Sequence, residues 1–194
     1  MCGVLEIGAI PSKLSLLNMK CLKNATEKIG INLDGPYKYN DFKIIKGNAN
    51  NMKIFKDETF DTVLCNGVLE HDKFFWKTIS EIKRVTKPGG VIVIGVPGYA
   101  DLSIERFLRK MPFIGKYSKK YQKLPGEYQK IPFIGKYLAS LYQSTVTFKL
   151  HDYPGDYYRF SPQTVREVFF EGMKNVDIRI LMVPPRIIAS GVKP

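Results

Sequence analysis

Apolar residues in this chain of 194 gather into short continuous runs broken by glycine, proline and acids. Val4–Ile7 is the first run, and "EKIGINLD" (27–34) the second, ending in an acid. "FKIIKGN" (42–48), "FDTVLCN" (60–66) and the strongly β-branched "GVIVIGVP" (90–97) follow. Continuous runs of this length suit central parallel strands covered on both faces. A different spacing lies between the fourth and fifth. Phe74, Phe75, Ile79, Ile82 and Val85 recur at helical intervals, and Lys87-Pro88-Gly89-Gly90 supplies the stop. "SPQTVREVFFEGM" begins a second helix with Ser161 as N-cap and Pro162 in its first position. "VDIRILMV" and "RIIASGV" give two more strands. Alternation of this kind predicts an α/β fold, a doubly wound Rossmann-like sheet of seven strands.

Residues 99–150 break the rhythm. "PFIGKY" occurs at 112–117 and again at 132–137, too few copies for a solenoid. The segment is therefore expected as an insertion, a lid or cap, within a single domain spanning 1–194. It follows the fifth strand, and ligands in open α/β sheets sit beyond the carboxyl ends of the strands. Its charge is one-sided. Of a net +12 for the chain, residues 101–150 supply ten lysines and arginines against three acids, interleaved with nine aromatics. Such a surface attracts anionic partners. Base stacking with phosphate pairing would suit nucleic acid, and aromatic and lysine side chains at headgroup level would suit an anionic membrane. The paired Pro-Phe-Ile-Gly-Lys-Tyr units favour the membrane surface, because nothing in the stretch matches an RNA-binding motif.

Composition narrows the rest. Cys2, Cys21 and Cys65 are odd in number and widely spaced, which fits neither a disulfide framework nor a zinc site. The run Val91–Val96 is far too short to span a bilayer, and the chain opens on no basic-then-apolar leader. A cytoplasmic protein is expected, peripheral to a membrane at most.

Five landmarks in order carry a resemblance: "VLEIGA", "INLDG", "GNANNM", "FDTVLCNGVLEH" and "RVTKPGGVIVIGVP". Over roughly residues 4–98, and more weakly over 151–191, the chain resembles the class I S-adenosylmethionine-dependent methyltransferases, in particular their small-molecule branch. The resemblance implies a mostly parallel sheet whose last strand enters antiparallel between the fifth and sixth. It implies S-adenosylmethionine as cofactor and methyl transfer to a small-molecule, lipid or glycan acceptor. By the same carry-over Glu6, Gly8 and Ala9 lie at the turn facing the methionine part of the cofactor. Asn32 takes the place of the ribose-binding acid, with Asp34 two residues on. Asn48 and Ala49 take the adenine-contacting position, and Asn66 lies beneath the cofactor with Gly67.

The departures point the other way. Ile10 and Ser12 stand where glycines are frequent, and Pro11 removes a backbone donor. Gly35–Asp41 is too short for the usual helix with its loops, and Met1 lies just before the first strand. Reduced helices near the N-terminus and an open cofactor site are expected, completed by the insertion or by a second subunit of a homodimer. The alternative is a non-catalytic, methyltransferase-like binding protein with a degenerate cofactor site. For the chemistry itself, "CNGV" after the fourth strand lacks the sequence used by nucleobase-amine enzymes, and Cys65 follows leucine rather than proline. The two histidines, His71 and His151, are the candidates for proton removal from the acceptor. "HDYPGDYYRF" places Tyr157, Tyr158 and Arg159 either along a substrate pocket or as braces of a loop.

Overall fold

The computed structural model describes residues 2–100, 146–147, 149–150, 155–182 and 185–194. The chain divides into two compact units, Met1–Gly98 with Phe148–Pro194, and Tyr99–Thr147. Within the second, the described residues are one antiparallel pair, Tyr99–Ala100 with Val146–Thr147. The basic duplication and its lid or membrane role lie outside the described residues, and so does His151.

The first unit is built on one sheet. Its strands are β1 (Gly3–Ile7), β2 (Glu27–Asn32), β3 (Tyr37–Tyr39), β4 (Phe42–Lys46), β5 (Phe60–Asn66) and β6 (Thr86–Pro97). After the Tyr99–Ala100 pair (β7, β8) come β9 (Lys174–Met182) and β10 (Pro185–Val192). The order across the sheet is β3-β4-β2-β1-β5-β6-β10-β9. The run β4-β2-β1-β5-β6 is parallel, and β10 enters antiparallel between β6 and β9. The doubly wound topology is therefore as expected, with eight strands in place of seven.

The additional strand is β3, an edge hairpin antiparallel to β4. Two tyrosines at alternate positions favour extended backbone. Asn40, in the two-residue turn before Phe42, takes φ 49, which asparagine tolerates. A link too short for a helix is long enough for this.

Among the described residues helices are correspondingly few. Between β1 and β2 the chain forms two short 3-10 turns, Leu16–Asn18 and Lys20–Leu22. Local side chains compete with a helix there: Ser12 Oγ accepts from Leu14 N, and Asn18 Nδ2 donates to Ser12 O. The alternation of strand and helix holds for α1 (Phe75–Val85), between β5 and β6, and for the short α2 (Pro162–Thr164), before β9. Ser161 caps α2 as expected, its hydroxyl accepting from Thr164 N at 3.0 Å, and the chain continues in π-type turns over Val165–Phe169.

Each strand sends alternate residues to opposite faces, so the sheet has two cores. Leu5, Ile7, Ile31, Val63, Cys65, Ile92 and Ile94 belong to the larger, together with Ile79, Ile82 and Val85 of α1 and with Val165 and Phe169. Burying each α1 aliphatic contributes roughly 2 kcal/mol. Val4, Phe42, Ile44 and Leu64 form the smaller core on the other face, with Leu17 from the first 3-10 turn. No helix among the described residues is long and apolar enough to cross a membrane.

Candidate functional site

Strand order reverses between β1 and β5, and in open α/β sheets ligands sit at such a switch point beyond the carboxyl ends of the strands. Gly8 leaves β1 there with φ +75, and its N–H donates to Ile31 O at 2.8 Å. A Cβ on Gly8 would lie 2.4 Å from Val68 Cγ2, so the turns after β1 and β5 touch through a space only glycine leaves. Past Ala9, Ser12 N donates to Ile10 O at 2.8 Å, closing a three-residue turn around Pro11. Proline's fixed φ suits the centre of an inverse γ-turn. The turn thus replaces its missing glycines with a different geometry.

Glu6 holds the far side of this turn. Its carboxylate is buried and accepts from Ser15 Oγ, from Leu16 N at 3.0 Å and from Leu17 N at 3.3 Å. It therefore anchors the first 3-10 turn, where free N–H groups welcome an anion.

Asn32, at the end of β2, is equally committed. Its Nδ2 donates to Ala9 O at 2.8 Å and its Oδ1 accepts from Asp34 N at 3.2 Å. One partner is a carbonyl and the other an N–H, so the orientation of the amide is fixed by chemistry. Asp34 itself is exposed, and its carboxylate makes no hydrogen bond or ion pair with the described residues.

After β4, Gly47 N donates to Asn32 O at 2.8 Å. Asn48 Oδ1 accepts from Asn50 N at 2.9 Å, and Ala49 packs partly buried against the larger core. Asn50 reaches across to α1, donating to Asp72 Oδ2 at 2.6 Å and Thr78 Oγ1 at 2.8 Å. Arg84 clips the following loop. It pairs with both oxygens of Glu81 (2.7 and 2.8 Å) and with Asp57 at 2.6 Å, and donates to the carbonyls of Met52 and Phe55. Arg84, reinforced by Met52 N–H, holds the Glu81 carboxyl below its usual range.

Asn66 ends β5, exposed, with its amide lying over Gly95 of β6, where a Cβ would come within 2.2 Å of Asn66 Oδ1. Gly67 (φ +70) then turns the chain into Leu69–His71. His71 Nδ1 donates to Gly155 O, since a carbonyl can only accept, and Nε2 lies 4.0 Å from Glu70 Oε1. Tyr157 N and Tyr158 N donate to Glu70 O at 2.8 and 3.3 Å. His71 thus fastens the 155–158 segment to the end of β5.

Of the two roles open to Tyr158 and Arg159, bracing is the one observed. Tyr158 stacks edge-on against Phe75 at 5.0 Å and donates to Lys73 O, and Arg159 forms a buried two-pronged pair with Asp156. Tyr157 stays 47% exposed, with Lys73 Nζ 5.3 Å from its ring centre. Cys65 is buried, and burial pushes its thiol well up.

Gly8, Ala9, Asn32, Asp34, Asn48, Ala49 and Asn66 thus end on one rim, the carboxyl ends of β1, β2, β4 and β5, with Glu6 behind it. Sequence reasoning missed Gly30 and Val68. A Cβ on Gly30 would meet Ala9 Cβ at 2.4 Å, so the first turn rests directly on β2. The available signal was a lone glycine inside a strand, which marks a close approach.

Comparison with known proteins agrees with this geometry. A family model described as a methyltransferase domain matches residues 17–94. The demethylmenaquinone methyltransferase of Lysinibacillus sphaericus is 34% identical over 91 residues, 43% of this chain and 38% of the relative. That of Shouchella clausii is 29% identical over 165 residues, 81% of this chain and 59% of the relative. A solved structure of Burkholderia thailandensis 1,6-didemethyltoxoflavin-N1-methyltransferase, with its namesake ligand and S-adenosylhomocysteine bound, superposes with TM-score 0.60 at 13% identity, covering 98% of this chain and 70% of that one. Residues 17–94 thus match a methyltransferase domain, and the sheet has the fold of S-adenosylmethionine-dependent methyltransferases of known structure. The chain spans between about two fifths and three fifths of the length of these curated relatives.

Proposed function

We propose that this chain binds S-adenosylmethionine at the switch-point rim and transfers its methyl group to a small-molecule acceptor. The observation that carries the reading is the Gly8–Ala9 turn at the carboxyl end of β1, where strand order reverses and only glycine lets the turn close against Val68 of the turn after β5. Asp34 supports it as the carboxylate left to accept both ribose hydroxyls, because Asn32 is occupied in holding the turn. Asn48 and Ala49 flank the adenine, and Asn66 lies under the reacting end. His71 acts as a positioning residue, keeping the 155–158 segment against the rim.

When bound, the cofactor supplies an activated methyl group on a sulfonium, open to in-line displacement. The chain's contribution is then chiefly orientation and exclusion of water. Two curated relatives are named for demethylmenaquinone, so a lipid-soluble quinone is the acceptor class to assay first.

Calorimetry with S-adenosylmethionine and S-adenosylhomocysteine tests the reading. Both should bind, and Asp34→Asn should weaken them about tenfold by losing a charge-assisted pair of hydrogen bonds, with no change in thermal stability. Absence of binding at millimolar ligand would return the chain to the non-catalytic alternative.

A further inference from the structure

Among the described residues strand β9 closes one edge of the sheet, with β10 on one side and no described strand on the other. Edge strands usually discourage pairing with charges or a distortion. Here Asn175, at φ 51, kinks the start of β9 and leaves Val176–Ile180 as the regular stretch before Leu181. Its two faces differ. Val176, Ile178 and Ile180 share one face, and Val176 and Ile178 pack against the larger core. Asp177 and Arg179 share the other, linked at 3.0 Å with side chains 58% and 78% exposed. Ile180 and Leu181 remain 48% and 45% exposed, unusual for adjacent aliphatics on an edge.

We propose that β9 pairs antiparallel with β9 of a second copy of this chain, about a two-fold axis through Ile178. An axis perpendicular to the sheet keeps each face on its own side, so the register must centre on a residue. Centred on Ile178, Asp177 of each copy stands opposite Arg179 of the other. The intrastrand pair becomes a ring of two acids and two bases. On the opposite face Val176 stands across from Ile180 and Ile178 from its own symmetry mate, giving a continuous aliphatic row. Cross-strand pairs of both kinds are stabilising. A single acid and a single base two residues apart reject most other strands by charge, yet they match an inverted copy of themselves. The pairing buries only a short strand, so the dimer is weak and depends on concentration.

Charge reversal reads the register directly. Sedimentation of the full chain up to about millimolar concentration should show reversible dimerisation. Asp177→Arg places two bases opposite two bases, and Arg179→Asp two acids opposite two acids. Each should raise the dimer dissociation constant about tenfold or more. An equimolar mixture of the two variants should dimerise again, because each then meets its complement in both pairs. That recovery also shows that both variants are folded. A monomeric wild type across the range overturns the proposal. So does a dimeric wild type whose two variants fail to associate when mixed.

Discussion

Asn32→Asp separates two accounts of the β2 terminus. By family resemblance the position is a ribose-binding acid that has lost its charge, and restoring the acid should tighten cofactor binding. The structure gives the opposite expectation. Asn32 Nδ2 is the donor to Ala9 O at 2.8 Å, and a carboxylate would set two acceptors against each other at that distance. Losing the bond costs about 1 kcal/mol and the repulsion a similar amount, so about 2 kcal/mol in all. For a chain of this size that lowers the melting temperature by about 4–8 °C. The introduced carboxyl, crowded by a carbonyl, titrates above its ordinary value of about 3.9. Its protonated form can donate to Ala9 O, so the deficit relative to wild type should be full at neutral pH and shrink as pH falls through the raised pKa. Thermal melts of both proteins at matched pH measure this, and calorimetry with S-adenosylhomocysteine should show weaker binding. A variant that melts no lower and binds the ligand more tightly would refute the reasoning.

Gly30→Ala should cost about 1–3 kcal/mol, because its methyl would meet Ala9 at 2.4 Å and Ile44 at 3.0 Å. It should weaken cofactor binding through the displaced turn, whereas Gly3→Ala, whose nearest contact would be 3.6 Å away, should leave chemical denaturation unchanged. Glu81→Gln should destabilise by about 1 kcal/mol at neutral pH, since Arg84 loses a two-pronged charged partner. The Glu81 carboxyl titrates below 4.5 in the folded protein, so its contribution is present above that value and lost as pH falls through the lowered one. Urea titrations should accordingly show the gap between variant and wild type closing below about pH 4, and a gap independent of pH would contradict the assignment.

How much was legible in the sequence follows from where the information sits. Buried parallel strands announce themselves by continuous apolar runs, and Val4–Ile7, 60–66 and the helix before β6 lie where those runs place them. The β6 start was read too late. Thr86 pairs with Phe60 before the register shifts to Thr62 with Val91, so Lys87–Gly90 is a distortion inside a strand that its glycines and proline disguise as a stop. The edge strand β3 was missed because exposed Tyr37 and Lys38 leave no apolar run to detect. At the rim, the residue types carried no information about their hydrogen-bond partners. Nothing in the letters of Asn32 says that its amide faces Ala9, or that Glu6 is spent on Leu16 and Leu17. Those pairings span ten residues or more and exist only once the turn is folded.

The glycine amides at the rim have a consequence for motion. Gly8, Gly47 and Gly67 donate to Ile31, Asn32 and Gly95, one step beyond the ends of their own strands. The ladder therefore runs into the rim turns rather than stopping short of them. Such amides exchange with solvent only when the neighbouring strands separate, so the rim opens with the whole sheet and not by fraying alone. The segment between Pro11 and Ala25 is held instead by short turns and by the Glu6 carboxylate. A ligand that met this rim would rest on amides as protected as the sheet they extend.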